Sequence, residues 1–291
     1  MEADLDVRPS PIAGQWYPAE SRRLASSVDQ YINAARPPEI EGEVVAVMAP
    51  HAGHLFSGPV AGYAFAALRG LDPEVVAIAS PMHYPYAQPL LTSAHAAYQT
   101  PLGIIPIDQE AVRTLNECLR GDLGFGLSPV YNDPEHSLEI ELPFLQRVIS
   151  KQFSLVPVMV RDQTARVARS LGSALAETLQ DRSSLLVAST DLSHFYTQEV
   201  AEELDAEVLR QVEALDPEGV LRVEEQGKGF ACGRAALAAV LWAAKDLGAN
   251  SVKVLHYATS GDVTGDFLRV VGYAAAVVTR KLSLSGSSSG S

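Results

Sequence analysis

The chain has 291 residues, of which 47% are hydrophobic and 20% are charged, and its net charge is −13. This composition is typical of a globular protein with a sizeable core. The acidic charge and the lack of a Lys/Arg-rich run argue against nucleic acid and anionic membrane surfaces as partners. The N-terminal residues do not resemble a signal peptide, no apolar run reaches transmembrane length, and there are only two cysteines. We therefore expect a cytoplasmic protein without a disulfide framework.

The order of the predicted elements favours an α/β fold. Apolar residues at helical spacing predict helices over 20–35, 59–68, 108–119, 138–149, 164–179, 198–213, 216–226 and 232–246. Val-rich runs predict strands over 44–49, 75–80, 154–160 and 184–189. Two further strands, 252–258 and 267–278, flank a Gly-Asp-rich turn and should pair antiparallel. We expect a single-domain, three-layer α/β/α sandwich over residues 1–281, with a mostly parallel central sheet and the antiparallel pair at the C-terminal end. Residues 282–291 read as a flexible Ser/Gly tail.

Three of the predicted strands end at a histidine. His51 follows Pro50 at the end of the first sheet strand, His83 follows Pro81-Met82, and His194 follows Asp191-Leu192-Ser193. In an open α/β sheet, ligands bind outside the carboxyl ends of the strands. Three strands that end in this way predict one shared site.

His51, His83 and Cys232 form the sharpest set of candidate metal ligands, because imidazole nitrogen and thiolate sulfur bind Zn, Fe or Cu. Cys232 follows a Gly-rich turn at the start of a predicted helix, where the helix dipole should lower the pKa of its thiol. The alternative is that Cys232 is a small buried hydrophobe, which is the common fate of a free cysteine. Cys118 falls on an apolar helix face and is expected in the core.

His194 and His136 are candidates for proton transfer, since an imidazole titrates near neutral pH. Asp191 lies three residues before His194 and is expected to orient it. Alternatively, Asp191 and Ser193 cap a following helix and His194 only packs there. His136 either enters the crevice or is an ordinary loop histidine.

The remaining polar residues are expected to have structural or supporting roles. His54 is expected to be exposed or to support His51, and His95 and His256 are expected to be structural. Ser137 is expected to cap the helix over 138–149, and Glu139 and Glu141 to begin it with solvated side chains. The chain has no G-x-G-x-x-G motif after its first sheet strand, no P-loop and no G-x-S-x-G nucleophile elbow.

Taken together, several motifs resemble those of the MEMO family, known in bacteria as AmmeMemoRadiSam system protein B. They occur in order along residues 8–279 and comprise Arg8-Pro9, Ala13-Gly14-Gln15-Trp16-Tyr17-Pro18, Pro50-His51-Ala52-Gly53, Glu135-His136-Ser137-Leu138-Glu139, Leu142-Pro143-Phe144, Asp191-Leu192-Ser193-His194, Ala231-Cys232-Gly233, Ser260-Gly261-Asp262-Val263-Thr264-Gly265-Asp266 and Val271-Gly272-Tyr273.

The resemblance implies a fold similar to that of the class III extradiol dioxygenases of the LigB type, which are non-haem Fe(II) enzymes with two histidines and a carboxylate as ligands. It implies that His51, His83 and Cys232 hold a mononuclear metal, with Fe(II) first and Cu or Zn as alternatives. His136, Asp191 and His194 would then be catalytic residues of the same pocket, with Trp16, His54 and Tyr84 lining it. The family is also reported to bind phosphotyrosine peptides in animals.

Two departures from the family pattern narrow what the resemblance implies. The family usually has Gly-Pro-Ser-His-His around the second ligand, whereas this chain has Ser80-Pro81-Met82-His83-Tyr84, and His54 stands where a tyrosine is frequent. A thiolate in place of a carboxylate also weakens the analogy with ring cleavage. The leading hypothesis is a metal-dependent redox enzyme or oxygenase that acts on a small molecule or peptide in the strand-end crevice. The alternatives are a non-catalytic scaffold that binds a peptide or partner in the same pocket and a metal-assisted hydrolase.

Overall fold

A computed structural model describes residues 6–281 of the chain, so the predicted tail at 282–291 lies outside the described residues. The helices are α1 (Ser21–Ala34), α2 (His54–Ala66), α3 (Gln109–Leu123), α4 (Leu142–Val148), α5 (Ala165–Leu179), α6 (Gln198–Glu213), α7 (Pro217–Glu225), α8 (Arg234–Asp246) and α9 (Gly261–Thr264), with a 3-10 turn at Glu139–Glu141. The strands are β1 (Val7–Arg8), β2 (Glu43–Ala49), β3 (Val75–Pro81), β4 (Leu90–Ser93), β5 (Ala97–Thr100), β6 (Gly103–Pro106), β7 (Ser128–Val130), β8 (Ser154–Val160), β9 (Ser184–Ser189), β10 (His194–Tyr196), β11 (Ser251–Thr259) and β12 (Val270–Arg280).

Most of the strands form one mixed sheet in the order β10-β12-β2-β9-β3-β8-β4-β7, with β11 also paired to β12. Its centre is parallel, because β9 pairs with both β2 and β3, and β3 pairs with β8, in the same direction. Around this centre the pairings of β12 with β2 and of β8 with β4 are antiparallel. The predicted antiparallel pair at the C-terminal end is confirmed as β11 and β12. Strands β1, β5 and β6 form a separate small sheet.

Alternate residues of the central strands pack on opposite faces of this sheet. Ala77 and Val158 belong to the core on the side of α3, α5 and α8, whereas Ile78 and Leu155 belong to the core on the side of α1, α2 and α4. This alternation is that of a sheet covered by helices on both faces, where each strand is nearly all apolar. The predicted three-layer α/β fold is confirmed. No helix among the described residues combines the length and the apolar character that a bilayer crossing requires.

The structure corrects the prediction for the helix after the first sheet strand. We predicted that it begins at Pro59, but α2 begins at His54 and includes Pro59. The helix starts earlier because the backbone N–H of His54 donates to the carbonyl of Trp16 at 2.9 Å, which satisfies one of the free donors of the first turn. Pro59 removes one helical hydrogen bond, to the carbonyl of Leu55, a residue exposed to solvent. His54 is therefore helical rather than part of a loop.

Candidate metal centre

Three histidines meet at the carboxyl edge of the parallel strands. His51 follows β2, His83 follows β3, and His136 lies in the segment between β7 and the 3-10 turn. Their candidate ligand nitrogens all lie within 4.8 Å of one another. The rings of His83 and His136 are stacked with their centroids 4.8 Å apart, and the ring of His51 lies edge-on to both. The predicted meeting of strand ends therefore brings His51 and His83 together and adds His136 to them.

His51 is buried, and both its backbone and its ring are held. Its N–H donates to the Asp191 carboxylate at 2.7 Å, and its Nδ1 lies 2.9 Å from Ser189 Oγ. Ser189 Oγ in turn lies 2.6 Å from the carbonyl of Ser137 and 2.8 Å from Glu141 Oε1. Burial, followed by the proximity of His136 and His83, lowers the pKa of His51 well below its usual value. The imidazole is thus neutral, which is the form that binds metal ions.

Cys232 approaches His51 from the loop that precedes α8. Its Sγ lies 3.2 Å from His51 Nε2, and the backbone N–H of Asp191 donates to it at 3.3 Å. The ligand atoms that all lie within 4.8 Å of one another are nitrogens of the three imidazoles, and the Cys232 sulfur is not among them. Gly233 beside it has no room for a Cβ, which would lie 2.6 Å from the carbonyl oxygen of Ser189. Cys232 as the third ligand therefore stays a prediction, with His136 as the competing donor.

The predicted effect of the helix on the Cys232 thiol is wrong. Burial and the nearby Asp191 carboxylate raise the pKa of Cys232 rather than lower it. The sulfur lies two residues before the first residue of α8, and burial opposes its negative charge more strongly than the helix end favours it. A bound cation reverses this balance, because a coordinating thiol is deprotonated.

Glu135 is a buried carboxylate that supports two of the imidazoles. Its Oε2 accepts from the backbone N–H of His83 at 2.6 Å, and its Oε1 lies 2.9 Å from His83 Nδ1. Oε1 also accepts from the backbone N–H groups of His136 and Ser137 at 2.9 Å each. Burial alone would raise the pKa of Glu135, but the hydrogen bond and charge of His83, together with His136, outweigh it and lower this pKa to about 2. Glu135 is therefore ionised at neutral pH.

Asp191 does not orient His194 as predicted. The Nδ1 of His194 lies 2.7 Å from the carbonyl of Leu192, and the Asp191 carboxylate instead holds the backbone of His51. Neither Asp191 nor Ser193 caps a helix, because β10 follows at once and α6 begins only at Gln198. Burial raises the pKa of Asp191 to about 7, although the hydrogen bonds from His51 and Ala52 oppose this shift. Burial also lowers the pKa of His194, and the proximity of His83 adds to this effect.

The three predicted pocket residues, Trp16, Tyr84 and His54, lie in different environments. The ring of Trp16 stacks on His136 with centroids 3.9 Å apart, so Trp16 covers one face of that imidazole. Tyr84 is 40% exposed beside His83. His54 is buried between Tyr17 and Phe144 and its Nε2 donates to the carbonyl of Ile140 at 3.0 Å. His54 is therefore held in the core instead of in the cluster.

Two predicted surface carboxylates are buried instead. Glu139 accepts from Arg8 and from the hydroxyl of Tyr17, and Glu141 contacts Ser189, with both side chains inaccessible to solvent. Ser137 does not cap the helix, since its hydroxyl donates to the carbonyl of Pro81 at 2.7 Å. The burial of Glu139 is explained by its ion pair with the guanidinium of Arg8. Because Arg8 is 131 residues away in the sequence, local spacing could not reveal this pair. Sequence reasoning also missed the supporting roles of Glu135 and Ser189; the one signal for Glu135 was its place beside His136 in a shared motif.

The buried imidazole of His54 gives a first prediction, on pH dependence. Burial lowers the pKa of His54 to about 4. A second proton on this ring would sit on Nδ1, which has no hydrogen-bond partner in the described structure. Below pH 6.5 the unfolded chain takes up this proton before the folded chain does, so the stabilisation is complete above that pH and is lost as the pH falls toward 4. We expect His54→Gln to remove about 2 kcal/mol of the stability difference between pH 7 and pH 5. Urea unfolding of the chelator-treated protein at both pH values measures it, and an unchanged difference would contradict the burial argument.

The chain is similar to known proteins over most of its length. The family model described as Memo-like protein matches residues 8–277. A MEMO1 family protein from Nitrosopumilus maritimus is 33% identical over 92% of this chain and 98% of its own length. Relatives from Methanopyrus kandleri and Thermotoga neapolitana, 36% and 34% identical, each cover 94% of this chain and at least 99% of their own length. An uncharacterized protein of Escherichia coli K12 has a crystal structure with a TM-score of 0.43 and 14% identity, covering 80% of this chain and 99% of that one.

The fold and the strand-end histidine cluster define a three-layer α/β protein with a candidate metal centre. The chain belongs to the MEMO family, as the match over residues 8–277 and the relatives above 30% identity over nearly the whole chain show.

Proposed function

We propose that this protein holds a mononuclear redox-active metal, Fe(II) or copper, through His51, His83 and Cys232. The observation that carries the proposal is the convergence of oriented donors at one edge of the sheet, with His51 Nε2 3.2 Å from Cys232 Sγ. Such a set of donors fits a cation: two imidazoles are braced through Nδ1, and a thiol lies beside one of them. Imidazole and thiolate together favour Fe, Cu or Zn over Mg or Ca.

The bound metal would supply redox chemistry or polarise a substrate at this edge. The residues of the chain bind and orient it: Ser189 and Glu135 brace the ligand imidazoles, and Trp16 stacks on the ring of His136. His136 and His194, neutral in this environment, are the groups placed to accept or return a proton. The substrate is a small molecule or a peptide that enters the crevice.

A redox titration tests this function. Chain reconstituted anaerobically with Fe(II) should retain one iron after desalting, and that iron should cycle by one electron equivalent between a mild oxidant and a mild reductant. His51→Ala should retain no iron, whereas His256→Ala, a matched change on β11 where the ring stacks on Tyr63, should behave as wild type. A wild type that holds no iron, or iron that cannot be cycled, would contradict the proposal.

A second candidate function, partner binding, is favoured by one observation. Phe195, Phe267 and Leu268 are 62%, 47% and 75% exposed, and the ring of Phe195 lies 5.7 Å from that of His194. Exposed apolar residues at the rim of a site mark interaction surfaces. A scaffold would bind a phosphotyrosine peptide with the same affinity before and after metal removal, and in His51→Ala. A redox enzyme would lose its activity in both cases.

A further inference from the structure

We propose that Glu135 is a positioning residue that gives the two stacked imidazoles different roles: it commits the Nδ1 proton of His83 and, within the described residues, leaves the Nδ1 of His136 without an acceptor. This inference rests on the proposed metal site, since it states how that site separates a fixed ligand from a proton-carrying residue.

One oxygen of the Glu135 carboxylate, Oε1, is fully occupied by hydrogen-bond donors. A carboxylate has about four acceptor sites over its two oxygens, or roughly two on each. Oε1 of Glu135 already receives three donors at 2.9 Å, from His83 Nδ1 and from the backbone of His136 and Ser137. The Nδ1 of His136 lies 3.2 Å from the same oxygen, a contact without hydrogen-bond geometry. Oε1 therefore has no site left for a fourth donor.

The identity of the partner fixes the tautomer of His83. Three backbone N–H groups already donate to the two oxygens of Glu135, so this carboxylate acts as an acceptor and His83 Nδ1 carries the hydrogen in the 2.9 Å contact. With Nδ1 committed as a donor, Nε2 is the nitrogen that can offer a lone pair to a cation. A histidine ligand that donates its other N–H to a carboxylate is a recurring device of metal sites, and it raises the basicity of the ligand. No hydrogen bond from the Nδ1 of His136 occurs in residues 6–281, and its ring is held by stacking between Trp16 and His83.

Glu135 is itself held in place from behind. Arg8 Nη2 donates to the carbonyl of Glu135 at 2.9 Å, and Asp133 Oδ1 accepts from the backbone N–H of Glu135 at 3.2 Å. Arg8 and Asp133 are paired with each other through two further contacts at 2.8 Å. These buried hydrogen bonds fix the backbone of Glu135. A residue that orients the His83 ring must itself be held in this way.

Nitrogen-15 NMR of the imidazoles in the metal-free full chain tests the proposal. We expect His83, assigned by the loss of its signals in His83→Gln, to carry its proton on Nδ1 in the wild type. Glu135→Met removes both acceptor oxygens, so it should shift His83 toward the Nε2–H tautomer and lower the Co(II) affinity by about 10–100-fold. Glu141→Gln changes a neighbouring buried carboxylate that contacts Ser189, and it should leave the tautomer of His83 unchanged.

The wild-type spectrum decides the point even if Glu135→Met does not fold. A wild-type His83 protonated on Nε2, or an unchanged tautomer in folded Glu135→Met, would overturn the positioning role. A wild type with the expected tautomer that binds no Co(II) would overturn the metal site and leave the positioning of His83 intact.

Discussion

Cys232→Ala is expected to lower the affinity of the protein for Fe(II) by at least about 100-fold, more than the loss of a supporting residue usually costs. The Cys232 sulfur lies 3.2 Å from His51 Nε2 and is the one thiol at the strand-end edge among the described residues. Its raised pKa makes the effect depend on pH, because the metal must displace the thiol proton and binding should tighten as the pH rises.

Cys118→Ala is the matched control for this change. Cys118 lies on α3, where it is partly buried against the core, and it is not a member of the strand-end cluster, so its removal should leave the Fe(II) affinity unchanged. A chelator competition assay under anaerobic conditions measures both variants. Equal affinities for Cys232→Ala and the wild type would show that His136, the third imidazole of the cluster, completes the site instead.

Replacing Arg8 by Met is expected to destabilise the fold by about 3–5 kcal/mol. Arg8 is 1% exposed and pairs with Asp133 and Glu139, so a neutral side chain leaves two carboxylates buried without their cation. The guanidinium also donates to the backbone carbonyls of Asp133 and Glu135, which lose those donors as well.

Arg147→Met provides the comparison, because Arg147 forms a bidentate pair with Asp29 at the surface. Exposed pairs contribute about 0–1 kcal/mol, so this variant should unfold close to the wild-type urea concentration. Similar free energies of unfolding for the two variants would show that the buried Arg8 pairs contribute no more than a surface pair.

The strand-end reasoning succeeded because parallel strands place their carboxyl ends at one edge. In the sheet, β9 lies between β2 and β3. His51 follows β2, Asp191 follows β9 and His83 follows β3, so these three residues converge although they are far apart in sequence. The apolar runs also predicted the central strands and the α/β class correctly, because a fully buried strand has a simple composition.

The errors concern features that depend on distant partners. Glu139 looked like a solvated first-turn residue, but Arg8 draws it into the core from the other end of the sequence. Asp191 looked like the partner of His194, but in the fold its carboxylate accepts a hydrogen bond from the backbone N–H of His51. Cys232 looked activated by a helix end, but burial beside Asp191 dominates its pKa. In each case the local pattern was compatible with several environments, and tertiary contacts selected one.

The absorption spectrum of the Co(II)-substituted protein tests the His51–His83–Cys232 site most directly. A thiolate bound to Co(II) gives an intense near-ultraviolet charge-transfer band that imidazole ligands alone do not give. We predict one Co(II) per chain with this band, its loss in Cys232→Ala and its persistence in Cys118→Ala. Stoichiometric Co(II) without the band, or no Co(II) bound at all, would contradict the two-histidine, one-cysteine site.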